Sequence, residues 1–309
     1  MRTWTALAVA ALSLGLTACG TATGPGPGGP DEEGATATQD LVDPAVELVA
    51  LGMVMQSSPD AEPELCVGGV AASYPPQCGG PVLAGAFSWD DVETEQASGV
   101  RWTNDGYWAV GHLDRSGEGT GTFTLSRPLS VDPPEGFTPP AYEDVGFPQL
   151  CEDPTADVPD VDQAARTEGG DGEAEQQALI ETAEQLDGYV TMWTSDGGPT
   201  MNVVLNRDGD LEAARAELRH VFSGPLCLEQ RDLPSEQDVL AAQEALGQRW
   251  DELGLLGSGG GGVTGLLDVD VMVADRETVE AIHEAVSEWL TPEQVTISST
   301  FRPLDGDEG

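Results

Sequence analysis

The chain contains no lysine, and its 12 basic residues, all arginine, face 55 aspartates and glutamates. The formal net charge at pH 7 is therefore −43. So strong a negative field repels the phosphates of nucleic acids and the anionic headgroups of a bilayer surface. We accordingly exclude nucleic acid as a partner, and we interpret the acidic surface as one that keeps the protein soluble.

Motifs for metals and cofactors are missing as well. The sequence has no Cys-x-x-Cys pair, and none of its three histidines lies within a few residues of a cysteine, which argues against zinc. Gly257, Gly259 and Gly262 have the spacing of a dinucleotide fingerprint, but they follow a predicted helix and precede a strand, the reverse of the required order. We interpret this glycine stretch as a flexible connector. We predict no metal and no cofactor.

The N-terminus carries an export signal. Arg2 precedes an apolar run, Ala6 to Leu16, which has the length of a signal-peptide core and is too short to span a bilayer as a stable helix. The run ends in Leu16-Thr17-Ala18-Cys19, which resembles the bacterial lipobox. That resemblance implies a signal peptide at residues 1–18 and a diacylglyceryl group on Cys19. The alternative is an ordinary secretory signal with a chance cysteine.

Lipidation of Cys19 predicts the location of the protein. Two or more acyl chains give stable anchoring, so the protein would be held at the extracytoplasmic face of the cell membrane through this anchor. The membrane is then a partner through the lipid and not through the acidic surface of the protein.

The other four cysteines are expected to form disulfides, because an even number of cysteines in an exported chain is typical of disulfide bonding. Cys66, Cys78, Cys151 and Cys227 allow three pairings. We favour Cys66–Cys78 and Cys151–Cys227, because the first pair is local and lies within one predicted domain.

Composition and periodicity divide the chain into six segments. They are a signal peptide (1–18), a disordered acidic Gly/Pro stalk (19–43), a β-rich disulfide-stapled domain (44–131), a Pro- and acid-rich linker (132–172), an α/β domain (173–303) and an acidic tail (304–309). The stalk has too few apolar side chains to bury a core. Turn signals at Asn104-Asp105-Gly106, between runs of aromatic and β-branched residues, predict hairpins in the first domain.

The predicted fold class is α+β, with a small β-rich barrel or sandwich followed by a two-layer α/β sandwich of ferredoxin-like character. In the second part, Leu267, Val269 and Val271 alternate with acidic residues, as in a sheet that is covered by helices on one face only. Helices are predicted at Glu173–Leu186, Leu211–Phe222, Ser235–Leu253 and Arg276–Leu290.

An internal similarity is also present in the second part. The stretch "VVLNRDGDLEAARAELRHVFSGPLCLEQ" can be laid on "VMVADRETVEAIHEAVSEWLTPEQVTIS" so that Leu211 falls on Val279 and Leu218 on Val286. Both stretches predict a strand, a helix and a strand. The similarity reflects either a duplication or two units that share only their periodicity.

Three stretches resemble segments of uncharacterised actinobacterial secreted proteins and lipoproteins: "ELCVGGVAASYPPQCGGPVLAGAFSWDDVE", "GPLCLEQRDLPSEQDV" and "VDVMVADRETVEAI". The first carries the distinctive signature Leu-Cys-x-Gly-Gly-Val-x-x-Ser-Tyr-Pro-Pro-Gln-Cys-Gly-Gly-Pro. The resemblance covers most of residues 44–303. Where those relatives often have Gly-Trp-Asp-Trp, this chain has Gly85-Ala86-Phe87-Ser88-Trp89-Asp90. The resemblance implies export and an envelope location. It does not imply any particular activity.

We therefore predict a non-catalytic binding module whose partner is an envelope protein or a small ligand. Its candidate surface is Tyr74-Pro75-Pro76, because an aromatic group that is fixed within a closed loop lowers the ordering cost of binding. The alternative for this loop is that Tyr74 packs down onto the barrel. Two other functions stay open: an envelope hydrolase with a site near His112 or at the domain junction, and a structural accessory or spacer of an envelope complex.

Overall fold

The computed structural model describes residues 41–116, 119–141, 145–156 and 172–304. The predicted signal peptide, Cys19, most of the predicted stalk, part of the linker and most of the acidic tail lie outside these residues. Within the described ranges no helix is both long and apolar enough to cross a bilayer.

The N-terminal half is rich in β-strands, as predicted. Its strands are β1 (Leu48–Gln56), β2 (Glu64–Cys66), β3 (Val82–Gly85), β4 (Thr94–Ala97), β5 (Val100–Thr103), β6 (Tyr107–Asp114) and β7 (Thr122–Leu125). Five of them close into a barrel in the order β1-β2-β3-β7-β6 and back to β1, with β3 and β7 parallel and the other neighbours antiparallel. The hairpin β4–β5 extends this sheet, because β5 pairs with Met55 and Gln56 at the C-terminal end of β1.

Alternating side chains of these strands fill the barrel. Leu48, Ala50 and Val54 of β1 point inward with Phe123 of β7, and each is at most 1% exposed. Close approach of the strands requires glycine at some positions: a Cβ at Gly111 would overlap the carbonyl oxygen of Thr124 on β7. A closed barrel this small therefore depends on where its glycines lie as well as on its apolar residues.

The C-terminal half mixes helices and strands, which confirms the α+β class. Its elements are α1 (Gly172–Ala183), β8 (Tyr189–Thr194), β9 (Met201–Leu205), α2 (Leu211–Val221), β10 (Leu226–Gln230), α3 (Glu236–Gly247), α4 (Trp250–Leu253), β11 (Leu255–Gly261), β12 (Leu266–Val271), α5 (Arg276–Val286), β13 (Val295–Ser299) and β14 (Arg302–Pro303). The single helix predicted over Ser235–Leu253 is thus two helices, α3 and α4.

Six of the seven strands of this half form two three-stranded sheets instead of one. The first small sheet has the order β10-β9-β8 and the second the order β11-β12-β13. Helices α1 and α2 contribute to the core of the first, and α3 and α5 to that of the second. In β12, Leu267, Val269 and Val271 are buried whereas Asp268 and Asp270 are exposed, as their alternation predicted.

The two small sheets are built in the same way. Each begins with an antiparallel hairpin, β8–β9 or β11–β12, and continues through a helix to a parallel third strand. Each hairpin has a register shift at the same place, between Tyr189 and Thr191 in one and between Leu255 and Gly257 in the other. Each crossover helix is capped by an aspartate, Asp210 or Asp275. The internal similarity in the sequence therefore corresponds to a repeated structural unit.

The glycine stretch that we interpreted as a flexible connector, which includes Gly257 and Gly259, lies in strand β11. That interpretation was wrong. The strand lies against α3, where a Cβ at Gly260 would overlap Val239, a side chain that is 3% exposed. Glycine lets the helix approach the strand closely. Because the stretch has almost no side chains, it shows neither the composition nor the alternation by which a strand is recognised.

Part of the predicted linker is attached to the first small sheet. Cys151 forms a disulfide with Cys227 of β10, with a Cα–Cα distance of 5.5 Å. The Trp193 indole Nε1 donates to the carbonyl oxygen of Pro148 at 2.8 Å, and the Leu150 amide donates to Asn202 Oδ1 at 2.9 Å. We call residues 145–156 the strap, because this segment crosses the sheet and its disulfide and hydrogen bonds hold it there.

The barrel and the second small sheet share contacts. Strand β14 pairs with β1, and Phe301, just before it, packs inside the barrel at 5.0 Å from the ring of Phe123. Arg115, after β6, forms an ion pair with Asp275 at the start of α5. The last described strand thus returns to the first.

Candidate binding surface

The loop between β2 and β3 is closed at its base by the disulfide Cys66–Cys78, so both pairings that the sequence favours are present. We call residues 67–77 the disulfide loop. Inside it, the Ala71 amide donates to the carbonyl oxygen of Gln77 at 2.8 Å. The hydroxyl group of Ser73 donates to the carbonyl oxygen of Pro75 at 2.9 Å. The covalent closure and these two hydrogen bonds restrict the loop to few conformations.

Tyr74 is the most exposed large apolar side chain of the described residues. The residue is 76% exposed, and its ring meets the Trp102 ring in a perpendicular contact, with the centroids 5.6 Å apart. Trp102 itself is only 4% exposed on β5, so it belongs to the packed part of the sheet and supports Tyr74 from below. Tyr74 therefore touches this sheet without being buried by it, unlike the alternative in which it packs down onto the barrel.

A small apolar cluster supports the loop. Met55 of β1, Trp102 of β5 and Cys66 of β2 are all buried there, and Met53 and Cys78 pack against them. The sulfur of Cys78 lies 3.7 Å from that of Met55. Strand pairing fixes these positions, since Met55 is directly opposite Trp102 in the ladder between β1 and β5. The disulfide loop thus stands on a rigid part of the sheet.

The segment of the chain that contains the loop has no charged residue of its own. From Leu65 to Trp89 the chain has no aspartate, glutamate, arginine, lysine or histidine, although 22% of all residues are charged. Glu64 and Asp90 are the charged residues at the two ends of this stretch. Burial raises the pKa of Glu64. Sequence reasoning identified Tyr74 but missed the uncharged stretch, which counting charges in successive windows would have found.

His112, the residue suggested for a hydrolase, lies exposed on β6 opposite Thr124. The nearby Ser126 hydroxyl donates to Glu47, and Arg127 Nη2 lies 2.8 Å from the same carboxylate. The Ser126 hydrogen bond and the charges of Arg127 and His112 lower the pKa of Glu47. Within the described ranges no hydrogen bond joins His112 to a serine.

An open groove of about 480 Å³ lies elsewhere on the barrel. Its lining residues are Asp90, Asp91, Val92, Glu93, Tyr107, Leu129, Ser130 and Val131. The buried Tyr107 hydroxyl accepts a hydrogen bond from the Glu93 amide at 3.1 Å, which fixes one wall. Across the part of the chain that the structure describes, no three His, Cys, Asp or Glu side chains converge closely enough to hold a metal ion.

The chain matches no family model, no curated protein and no solved structure. Its function therefore has to be inferred from its own surface. Of the surfaces described above, the disulfide loop is the one that combines exposure, rigid support and a distinctive composition.

Proposed function

We propose that this chain is a lipid-anchored protein of the extracytoplasmic face of the cell membrane, where it acts as a non-catalytic binding module. The observation that carries the binding role is Tyr74, which is 76% exposed at the tip of a loop that a disulfide closes and a buried tryptophan supports. Rigid, exposed aromatic surface loses little freedom on binding and is suited to recognition. An envelope protein or a small ligand is the partner of this surface.

Export is supported by the disulfides and by the N-terminal sequence. Two disulfides in one chain are typical of proteins that leave the reducing cytosol. Cys19, at the end of the lipobox-like stretch, is the proposed attachment point of the lipid. The proposed partners are therefore the membrane, through this anchor, and a second molecule, through the disulfide loop.

The ferredoxin-like character of residues 173–303 is also a proposal. It is supported by the way each small sheet combines a hairpin with a parallel strand reached through a helix. In each unit two helices share one apolar core with the sheet. The arrangement would make this half a scaffold for the disulfide loop, which reaches it where Gly68 faces Leu256 of β11.

Site-specific photo-crosslinking in intact cells of the native host tests the binding role. A benzophenone amino acid replaces Tyr74 in one variant and Leu240, which is 57% exposed on α3, in the control. We expect a discrete crosslinked product from position 74 and none from position 240, because only the first lies on the proposed surface. Equal products from both positions, or none from position 74, would overturn the proposal.

A further inference from the structure

One face of the second small sheet is open. Helices α3 and α5 lie against the opposite face, where Leu267, Val269 and Val271 are buried. Two rows of residues cross the open side from β11 through β12 to β13: Gly257, Asp270 and Ser298, then Gly259, Asp268 and Thr296. None of these six residues is buried. We call the two rows the open face.

The corresponding face of the first small sheet is covered by the strap. Trp193, Asn202 and Cys227 form one row across that face, and each of them holds the strap. The first two hydrogen-bond to its backbone, and Cys227 carries the disulfide. Trp193 is 6% exposed, and the other two are fully buried. In the first unit, therefore, one row of residues serves to hold a peptide segment on the sheet.

The structural repeat makes one row of the open face the counterpart of this row. The alignment of the two units, extended by one residue, lays Asn202 on Asp270. Strand pairing then lays Trp193 on Gly257 and Cys227 on Ser298. The place that carries the strap in the first unit is thus exposed to solvent in the second.

We propose that a basic peptide segment of a partner protein binds across the open face, and that its cationic side chains pair with Asp268 and Asp270. The segment crosses β11, β12 and β13 as the strap crosses the first small sheet. This surface uses no residue of the disulfide loop, so the present proposal and the one for Tyr74 can fail separately.

The residues of the open face suit a reversible contact with a peptide. A carboxylate oxygen of Asp270 can accept a hydrogen bond from a backbone amide, as Asn202 Oδ1 does in the first unit. Ser298 has a hydroxyl group where Cys227 forms a disulfide, so the contact in the second unit is not covalent.

The glycines leave room for the occupant. A Cβ at Gly257 would lie 3.3 Å from Asp270 Oδ2, so glycine at this position keeps the carboxylate accessible. A Cβ at Gly259 would meet nothing within 4 Å. Where the first unit has the indole of Trp193, the second therefore has space for side chains of another molecule.

Charge selects a basic occupant. Asp268 and Asp270 lie two positions apart on one strand, so their Cβ atoms are about 7 Å apart on the same face. Their cross-strand partners are glycine, serine and threonine, and in the described part of the chain no arginine forms an ion pair with either aspartate. Burial raises the pKa of Asp268, and so does the charge of Asp270, whereas a hydrogen bond to Thr296 lowers it. A cation between the two carboxylates offsets their repulsion.

The occupant comes from another molecule, because the longer segments of this chain that follow the predicted signal peptide and lie outside the described residues are acidic. Residues 19–40 and 305–309 contain no basic residue. Residues 157–171 contain one arginine, Arg166, among five acidic residues: Asp157, Asp160, Asp162, Glu168 and Asp171. Asp268 and Asp270 repel such segments.

Selection from a displayed library of random octapeptides tests the inference. The bait is the full-length chain with Cys19→Ser, at about 0.15 M salt, where interactions between distant surface charges are screened. Peptides that are enriched are synthesised, and calorimetry measures their affinity. We expect the enriched peptides to contain two or more arginines or lysines, because two carboxylates have to be paired.

Removal of charge shows whether the aspartates bind the peptide. Asp268→Asn with Asp270→Asn should weaken binding of a selected peptide by about tenfold, since the shape of the face is kept and both charges are lost. The matched control is Glu244→Gln with Glu280→Gln, which removes two exposed charges from α3 and α5 on the other side of the sheet. The control should bind within about twofold of the unaltered chain.

A steric variant separates the open face from general attraction to an acidic protein. Gly259→Trp retains both aspartates but places an indole on the open face, so it should also weaken binding by about tenfold. Leu240→Trp, at a position of α3 that is 57% exposed, is the control and should bind within about twofold.

Three results would overturn the inference. One is that the selection yields no peptide that binds the chain in calorimetry. Another is that the peptides that bind are not basic. The third is that either the double asparagine variant or Gly259→Trp binds them as tightly as its control does.

Discussion

At the scale of single residues, glycines decide how closely elements approach one another. Gly260 lies on the helix-facing side of β11, and a Cβ there would overlap the buried Val239 of α3. Its neighbour Gly259 is exposed, as Gly260 is, but a Cβ at Gly259 would meet nothing within 4 Å. The two glycines differ in what an added Cβ would meet, so their alanine substitutions form a matched pair.

We predict that Gly260→Ala lowers the free energy of unfolding by about 1–3 kcal/mol, because β-branched Val239 cannot move aside without disturbing the core. Gly259→Ala should change it by less than about 0.5 kcal/mol. Urea denaturation followed by tryptophan fluorescence measures both. Equal effects of the two substitutions would show that α3 does not press on β11 at this point.

Glu64 gives a prediction about pH. Burial raises the pKa of this carboxyl group, so the folded state binds a proton more readily than the unfolded chain, whose value is 4.5. Stability is therefore lost as pH rises from 4.5 through the folded-state pKa. Glu64→Gln should be more stable than the unaltered chain at pH 7, and the difference should disappear below pH 4.5.

Denaturant titrations at a series of pH values measure this difference. Glu62→Gln, at an exposed position two residues earlier, is the control and should show no comparable gain at pH 7. A Glu64→Gln protein that is less stable than the unaltered chain at pH 7 would contradict the assigned cause.

At the scale of elements, the strap depends on one covalent bond. The Cys151–Cys227 disulfide closes a loop with a sequence separation of 76, which constrains the unfolded chain more than the short separation of 12 between Cys66 and Cys78. The disulfide also holds the strap where Trp193 and Asn202 bond to its backbone.

We predict that Cys151→Ser with Cys227→Ser costs about 2–4 kcal/mol of stability and increases hydrogen exchange at the Leu150 amide. The matched control, Cys66→Ser with Cys78→Ser, should leave exchange at Leu150 unchanged, because its disulfide lies on the barrel. Hydrogen exchange read out by mass spectrometry distinguishes the pairs. Unchanged protection of the strap in the first variant would contradict its covalent attachment.

The caps of the two crossover helices form another matched pair of elements. Asp210 accepts hydrogen bonds from the first turn of α2, and Asp275 does the same for α5. Asp275 in addition pairs with Arg115 from the barrel. We predict that Asp210→Ala costs about 1 kcal/mol and that Asp275→Ala costs more, because it also leaves Arg115 without this partner.

A double-mutant cycle isolates the contribution of the ion pair. Arg115→Ala should destabilise the unaltered chain but have a clearly smaller effect in the Asp275→Ala background. Additive effects would mean that the ion pair contributes nothing to stability.

Local patterns in the sequence predicted several elements and failed for others. Strand β6, which follows the predicted turn, and helices α2 and α5 were predicted because alternation and a 3.6-residue period can be recognised in consecutive residues. β11 was missed because glycines carry no alternation, and its stability as a strand comes from β12 and from the close approach of α3. The break between α3 and α4 was missed because apolar residues continue across it.

At the scale of the whole molecule, long-range contacts lie beyond what the sequence alone predicts. The pairing of β14 with β1 and the packing of Phe301 on Phe123 join the last described residues to the first strand. No local pattern encodes such a contact, since it depends on the complete path of the chain between the two strands. The candidate surface was predicted in part: the cysteine spacing indicated a closed loop, but the exposure of Tyr74 depends on the position of Trp102.

Both disulfides and the proposed anchor depend on export of the chain, so the intact mass of the protein from its native host is the most direct measurement. We predict a mature chain that begins at Cys19 with a diacylglyceryl group, and no increase in mass on alkylation without prior reduction, because the other four cysteines are paired. A product that retains Met1, or four cysteines that alkylate without reduction, would contradict it.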